Sequence, residues 1–252
     1  MSILINILAN MLHPTDHAKA YPFYIPPFSY VLTDGECAPL DTDESISQLT
    51  EGHTPVIASG SNRSPEQLAR KYKDGSGGSV IVTKAKLHDF DSVYSAHFAG
   101  YGSIPATLQH TPGTISELSI TWLNAAQLDR MHETESLGVH YDYGCLTDIR
   151  LEIENGPTLD KAFVYNSRQG CMSQNGNVVA LSEITSQNRS IPSLQQAEAL
   201  HHARDEIEPG MPLEQFIQEI IDDPAIQMSR TEALYTNAIV FGYAAFTKEL
   251  PL

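Results

Sequence analysis

Two short stretches carry residue types that could act chemically on a small molecule. In the first, Val56-Ile57-Ala58-Ser59-Gly60-Ser61-Asn62-Arg63-Ser64-Pro65-Glu66-Gln67-Leu68, a buried strand, a tight polar turn and a capped helix follow one another directly. Gly60 gives the turn backbone freedom, Pro65 suits a first helical position, and Ser64 with Gln67 has capping-box spacing. Such a junction aims successive backbone N–H groups at one spot, which suits a carboxylate or a developing oxyanion. An ordinary strand-to-helix turn fits the same residues. The second stretch is Leu128 to Glu135, where Leu128, Met131, His132 and Glu135 recur at steps of three and four. A helix that persists this far turns Glu135 inward with Leu128 and Met131 and leaves Glu133 with Asp129 toward solvent. A carboxylate facing an apolar interior has its charged form disfavoured, which suits it to take up and return a proton. A helix that ends earlier leaves Glu135 in a solvated loop.

The elements that would position these groups follow from hydrophobic patterning. Residues 13–54 form an extended arm in which Tyr21, Phe23, Tyr24, Phe28 and Tyr30 stand among Pro22, Pro26 and Pro27, reading as a strap across the core. The helix after Ser64 reaches about Tyr72 and gives way to a glycine-rich loop. Val80 to Lys86 reads as a strand, and the small residues of Gly100 to Gln109, Tyr101 and Gly102 among them, admit close approach of backbone or ligand before a turn at Thr111-Pro112-Gly113. Leu118, Ile120 and Trp122 alternate as a strand does, and Asn124 with Gln127 repeats the capping-box spacing. Tyr141 to Cys145, Ile149 to Ile153, Lys161 to Tyr165 and Val178 to Leu181 read as further strands. Beyond residue 190 the pattern becomes helical, with starts at Ser193/Gln196, before Leu213, and at Ser229/Glu232. The expectation is an α+β chain: an arm over 1–54, a mixed β core over 55–185 and a helical extension over 186–252.

Composition narrows the partners. The chain has 252 residues, 41% of them hydrophobic and 18% charged, enough to bury a sizeable core. A formal net charge of -16 disfavours nucleic acid and anionic membranes, which call for clustered Lys and Arg, and points to a small molecule or a protein. Three scattered cysteines, Cys37, Cys145 and Cys171, suit a reducing, cytoplasmic setting and form no zinc motif. Met1 to Leu12 is apolar, but it lacks a basic start and is broken by Asn6 and Asn10, so it reads as a docking segment on the body or on another subunit.

Other chemistries lack their signatures. His132-Glu133-Thr134-Glu135 has no second histidine in HExxH spacing, His201 and His202 fall on different helix faces, and Ser59-Gly60-Ser61 is not a G-x-S-x-G elbow.

The order of pieces resembles the γ-glutamylcyclotransferase family, described together with AIG2-like proteins. Gly60-Ser61-Asn62 matches its Gly-Ser-Asn turn, Gly102 to Gly113 its glycine-rich Ala-Thr strand ending in Pro-Gly, and Met131 to Glu135 its short helix carrying the catalytic glutamate. The likeness spans residues 55–170. Ser59 stands where the family has tyrosine, and Leu128-Asp129 offers a competing register that would promote His132 or Glu133. The resemblance implies a small mixed β-barrel flanked by helices that needs no cofactor and no metal. It implies that the α-amine of a γ-glutamyl group attacks its own side-chain amide, forming 5-oxoproline and releasing an amine, with Glu135 as general acid and base. Ser59, Gly60, Ser61, Asn62, Tyr101, Gly102 and Tyr165 would then line the substrate site. Arg63 or Arg168 would hold the α-carboxylate. A noncatalytic binding or assembly role on the same fold is the alternative.

Overall fold

The computed structural model describes residues 12–249 apart from positions 42, 43, 74 and 76; the segment Met1 to Leu12 therefore lies, except for Leu12, outside the described residues. The chain opens with a short helix α1 (Pro14–Lys19), then a hairpin of β1 (Tyr30–Thr33) and β2 (Glu36–Pro39), and a helical turn α2 (Ile46–Leu49). There follow β3 (Thr54–Ala58), a 3-10 turn over Ser61–Arg63, α3 (Pro65–Lys71), the long strands β4 (Val80–Tyr94) and β5 (Ala106–Leu123), α4 (Ala125–Thr134), β6 (Tyr141–Ile153) and β7 (Thr158–Ser167). Several two-residue strands lead to α5 (Gln196–Ile207), α6 (Leu213–Asp222) and α7 (Pro224–Tyr235), and β8 (Phe246–Lys248) ends the described chain. Among the described residues, no helix is long and apolar enough to cross a membrane.

The architecture is α+β, and its centre is a closed mixed barrel of five strands in the order β5-β3-β7-β6-β4, shut by β4 pairing with β5. All neighbours are antiparallel except β3 and β7, which run parallel. Closure removes the free edges that an open sheet of this size would expose.

Period-two patterning divides the side chains between two cores. Ile57, Leu87, Leu118, Ile120, Leu151 and Val164 face one large cluster, while Val56, Val80, Val82 and Tyr165 face a second, where Leu68 of α3 and Met131 of α4 pack. Each fully buried side chain of this size contributes on the order of 1.5–3 kcal/mol. The segments outside 55–185 belong to the same body. Ala18 and Tyr21 from the arm, and Leu200, Phe216, Ile217 and Leu234 from the C-terminal helices, all join the larger cluster. The arm is also less extended than its prolines suggest, because Tyr30 to Leu32 pairs with Val80 to Val82 and adds a hairpin to the barrel.

The structure corrects several local expectations. Thr111-Pro112-Gly113 does not reverse the chain. It bulges within β5, opposite Asp89, where the register shifts between His88 and Phe90 and the Gly113 N–H donates to Asp89 Oδ1 at 2.7 Å. Gly113 and Asp89 both adopt positive φ, 85° and 64°, so the bulge is absorbed by a glycine and by an aspartate that holds it. Ser64 and Gln67 do not form a capping box: the Ser64 hydroxyl is buried without a partner, and the Gln67 carboxamide oxygen accepts from Arg70. Ser229 lies inside α7, which begins at Pro224 behind an Asp223 cap accepting from the Ala225 N–H at 2.8 Å. Ala238 to Phe241 fall beyond that helix, and Ile239 bridges to Cys171. Gln195 rather than Ser193 caps α5, in a box with Glu198.

Candidate functional site

One end of the barrel gathers the C-terminal end of β3, the last residues of β7 and the first residues of β5 and β6, because β3 and β7 run together and their neighbours run against them. A cavity of about 420 Å³ opens there, with the C-terminal end of α4 at its wall. This places the Gly60 turn, at the end of β3, beside Tyr165 of β7, Ala106 of β5 and Tyr141 of β6. The volume suits a small polar metabolite.

Glu135 stands at this wall. The capping box at the other end of α4 forms as its spacing predicts: the Gln127 N–H donates to Asn124 Oδ1 at 3.0 Å and the Asn124 N–H to Gln127 Oε1 at 3.0 Å. The helix then ends at Thr134, and Glu135 is its C-cap, yet its side chain is only 12% exposed. The surroundings are not the apolar ones that the helical pattern suggests. Lys71, the last residue of α3, sets its ammonium against Glu135 Oε1, and Asn62 Nδ2 donates to the same oxygen at 3.0 Å. Glu133, by contrast, is solvent-facing and paired with Arg130 at 2.7 Å.

The remaining candidates separate into two groups. Ser59, Gly60, Ser61, Asn62, Tyr101 and Tyr165 line the cavity with Glu135. Ser59 is fixed through its carbonyl, which accepts from Ser92 Oγ at 2.7 Å, and the Tyr165 hydroxyl pairs with His132 Nδ1 at 2.8 Å. Arg63 turns away into the protein, donating from Nε to Ser119 Oγ at 3.2 Å, and burial brings its guanidinium down to about 10. Arg168 lies at another hollow, bound to Asp142 at 2.7 Å. Gly102 packs against Ile217, Ile221 and Ala18, not the cavity. Among the described residues, the cation that lines this cavity is therefore Lys71 and neither of the two arginines.

Sequence reading missed Lys71, Tyr21, His97, His140, Tyr141 and Gln227, all of which line the cavity. Lys71 left a faint signal: it stands three residues after Leu68, on the buried stripe of α3 where a lysine needs a partner. Tyr21 reaches in from the arm, and its hydroxyl accepts the Ala106 N–H at 2.7 Å. The phenol thus supplies the aromatic contact that Ser59 lacks. His97 and His140 stack at 4.5 Å with rings 2° from parallel, and His97 Nδ1 meets Ser95 Oγ at 2.6 Å.

Electrostatics mark Glu135 as the centre of the cavity. Burial raises the phenols of Tyr21, Tyr101, Tyr141 and Tyr165, and in each case the charge of Glu135 raises them further. Tyr21 is pushed up to about 12. Burial, and then the adjacent His140, lowers His97 to about 3. Among the described residues, the cavity thus sets neutral phenols and neutral imidazoles around the Glu135–Lys71 pair. Among the described residues, no group of three or more His, Cys, Asp or Glu is placed to hold a metal ion. Comparison with protein-family models, with curated proteins and with solved structures finds no match to this chain.

Proposed function

We propose that this chain is a γ-glutamylcyclotransferase-like enzyme that cleaves a γ-glutamyl amide or peptide by intramolecular attack of the α-amine. The observation that carries the reading is Glu135: an enclosed carboxylate, held by Lys71 and Asn62, in a cavity rimmed by the Gly60-Ser61-Asn62 turn. A γ-glutamyl head is a zwitterion, and this pair offers one charge to each of its ends. The incoming α-ammonium takes the place of the Lys71 ammonium against Glu135, while Lys71 turns to the α-carboxylate. The ammonium loses one proton to solvent, the free amine attacks the γ-carbonyl, and Glu135 takes the second proton from the ring nitrogen and delivers it to the departing nitrogen. Because both reacting groups are in one molecule, holding the chain in a ring-closing shape supplies several kcal/mol of barrier reduction.

The test is 5-oxoproline release from a panel of γ-glutamyl amines and γ-glutamyl dipeptides. Wild type turns over at least one member, Glu135→Gln abolishes turnover, and Glu133→Gln, on the solvent side of α4, leaves it intact. Absence of product across the panel would overturn the reading. One observation favours the alternative of a noncatalytic binding protein: a side chain from the arm already sits on the Gly60 turn. Tight binding of a γ-glutamyl compound without turnover is the result that reading requires.

A further inference from the structure

The placement of Tyr21 gives the arm a chemical role in the same site, and this inference rests on the cyclotransferase reading. We infer that Tyr21 is a catalytic residue whose phenol O–H donates to the γ-carbonyl oxygen of the substrate as that oxygen becomes an oxyanion. Its oxygen accepts the Ala106 N–H at 2.7 Å, so a main-chain group of the barrel fixes its position. A phenol carries one donor and two acceptor sites. With the Ala106 N–H on an acceptor site, the phenol's proton is left for a ligand.

Of the other three phenols of the cavity, two are engaged elsewhere, and Tyr101 is not the one seated on the Gly60 turn. Tyr141 donates to the Ala106 carbonyl at 3.3 Å, and Tyr165 pairs with His132. Tyr21 accepts from the Ala106 N–H and leaves its own proton toward the cavity. It is also the phenol seated on the Gly60 turn, since a Cβ at position 60 would overlap its hydroxyl. The turn therefore serves as the seat of the donor, and the arm supplies the donor itself. Burial keeps this phenol protonated across the neutral range, as a donor must be.

The electrons balance without a proton leaving Tyr21. The α-amine lone pair forms the new N–C bond, the carbonyl π pair moves onto oxygen, and Tyr21 hydrogen-bonds that charge. The pair returns as the C–N bond to the departing amine breaks, and the amine takes its proton from Glu135.

The experiment compares wild type, Tyr21→Phe and Tyr24→Phe, the last removing a hydroxyl from an exposed ring of the arm. On whichever γ-glutamyl compound wild type turns over, Tyr21→Phe is expected to lower kcat about 100-fold with KM within about threefold, and Tyr24→Phe to match wild type. A Tyr21→Phe enzyme with the kcat of wild type overturns the inference and leaves the cyclotransferase reading standing. Should Tyr21→Phe not fold, Tyr21→3-fluorotyrosine keeps the shape with a more acidic phenol. The stronger donor then changes kcat at neutral pH, and a kcat equal to that of wild type overturns the inference. Should wild type form no product at all, the cyclotransferase reading fails, and binding of 5-oxoproline decides the role of Tyr21. A loss of about tenfold or more in affinity on Tyr21→Phe supports a donor to a bound carbonyl, whereas equal affinity, or no binding by wild type, overturns it.

Discussion

The hydroxyl of Tyr21 fills the space that a side chain at Gly60 would need. Gly60 has φ -136° and ψ -130°, so it does not use the left-handed freedom that its place in a tight turn suggests. Its missing Cβ matters because an added one would overlap the Tyr21 hydroxyl and approach Ala106 Cβ to 2.7 Å.

Gly60→Ala is therefore expected to destabilise the protein by about 1–3 kcal/mol, the usual range for forcing extra volume into a packed site. Tyr21→Phe alone also costs stability, since the Ala106 N–H loses its acceptor. Much of the alanine penalty depends on that same hydroxyl, so the double variant should be more stable than the sum of the single losses predicts. Chemical denaturation of the four proteins of this cycle measures the coupling, and strict additivity would show that position 60 tolerates a methyl group independently of Tyr21.

Lys71 and Glu135 make up an enclosed ion pair, with side-chain exposures of 7% and 12%. Removing one partner of such a pair leaves the other charge uncompensated, at a cost of about 3–5 kcal/mol, whereas replacing both is far milder. Lys71→Met and Glu135→Gln should accordingly each be more destabilised than the Lys71→Met/Glu135→Gln double, which lies closer to wild type. Urea unfolding ranks them. A double variant less stable than Lys71→Met would mean that the pair is not coupled in the folded protein.

The legible parts of this chain were those whose causes lie within a few residues. Alternation marked the barrel strands because each has one face on each core. Asn124 and Gln127 formed their capping box because both partners and both backbone donors belong to the first turn of α4. The same spacing at Ser64 and Gln67 failed because Arg70 takes the glutamine oxygen, leaving the cap to backbone conformation alone. Thr111-Pro112-Gly113 has turn composition, yet a bulge needs those residue types too, and only the partner strand decides between them. At the cavity, Glu135, the Gly60 turn and Tyr165 were visible as local patterns. Tyr21 was not, because the contact that gives it meaning is to Ala106, 85 residues away. The His97–His140 stack joins two loops that only barrel closure brings together, and neither neighbourhood announces it.

That stack makes stability depend on pH in a stated direction. His97 is lowered to about 3 from an ordinary 6.5, first by burial and then by His140, and burial lowers His140 as well. Between about pH 6.5 and pH 3 the unfolded chain therefore binds a proton at His97 that the folded protein does not. Stability is complete above about pH 6.5 and falls as the pH drops through this window, with a slope approaching about 1.4 kcal/mol per pH unit from one such group. Urea midpoints at pH 7 and pH 5 lie above the range where most carboxylates titrate, so they isolate the histidines. His97→Gln removes the titrating group and should flatten the decline between those two pH values by about that slope, even though it lowers stability at pH 7 by disturbing the contact with Ser95. An undiminished slope in His97→Gln would assign the acid sensitivity to His140 or to other groups, and would show that His97 is not held neutral in the folded protein.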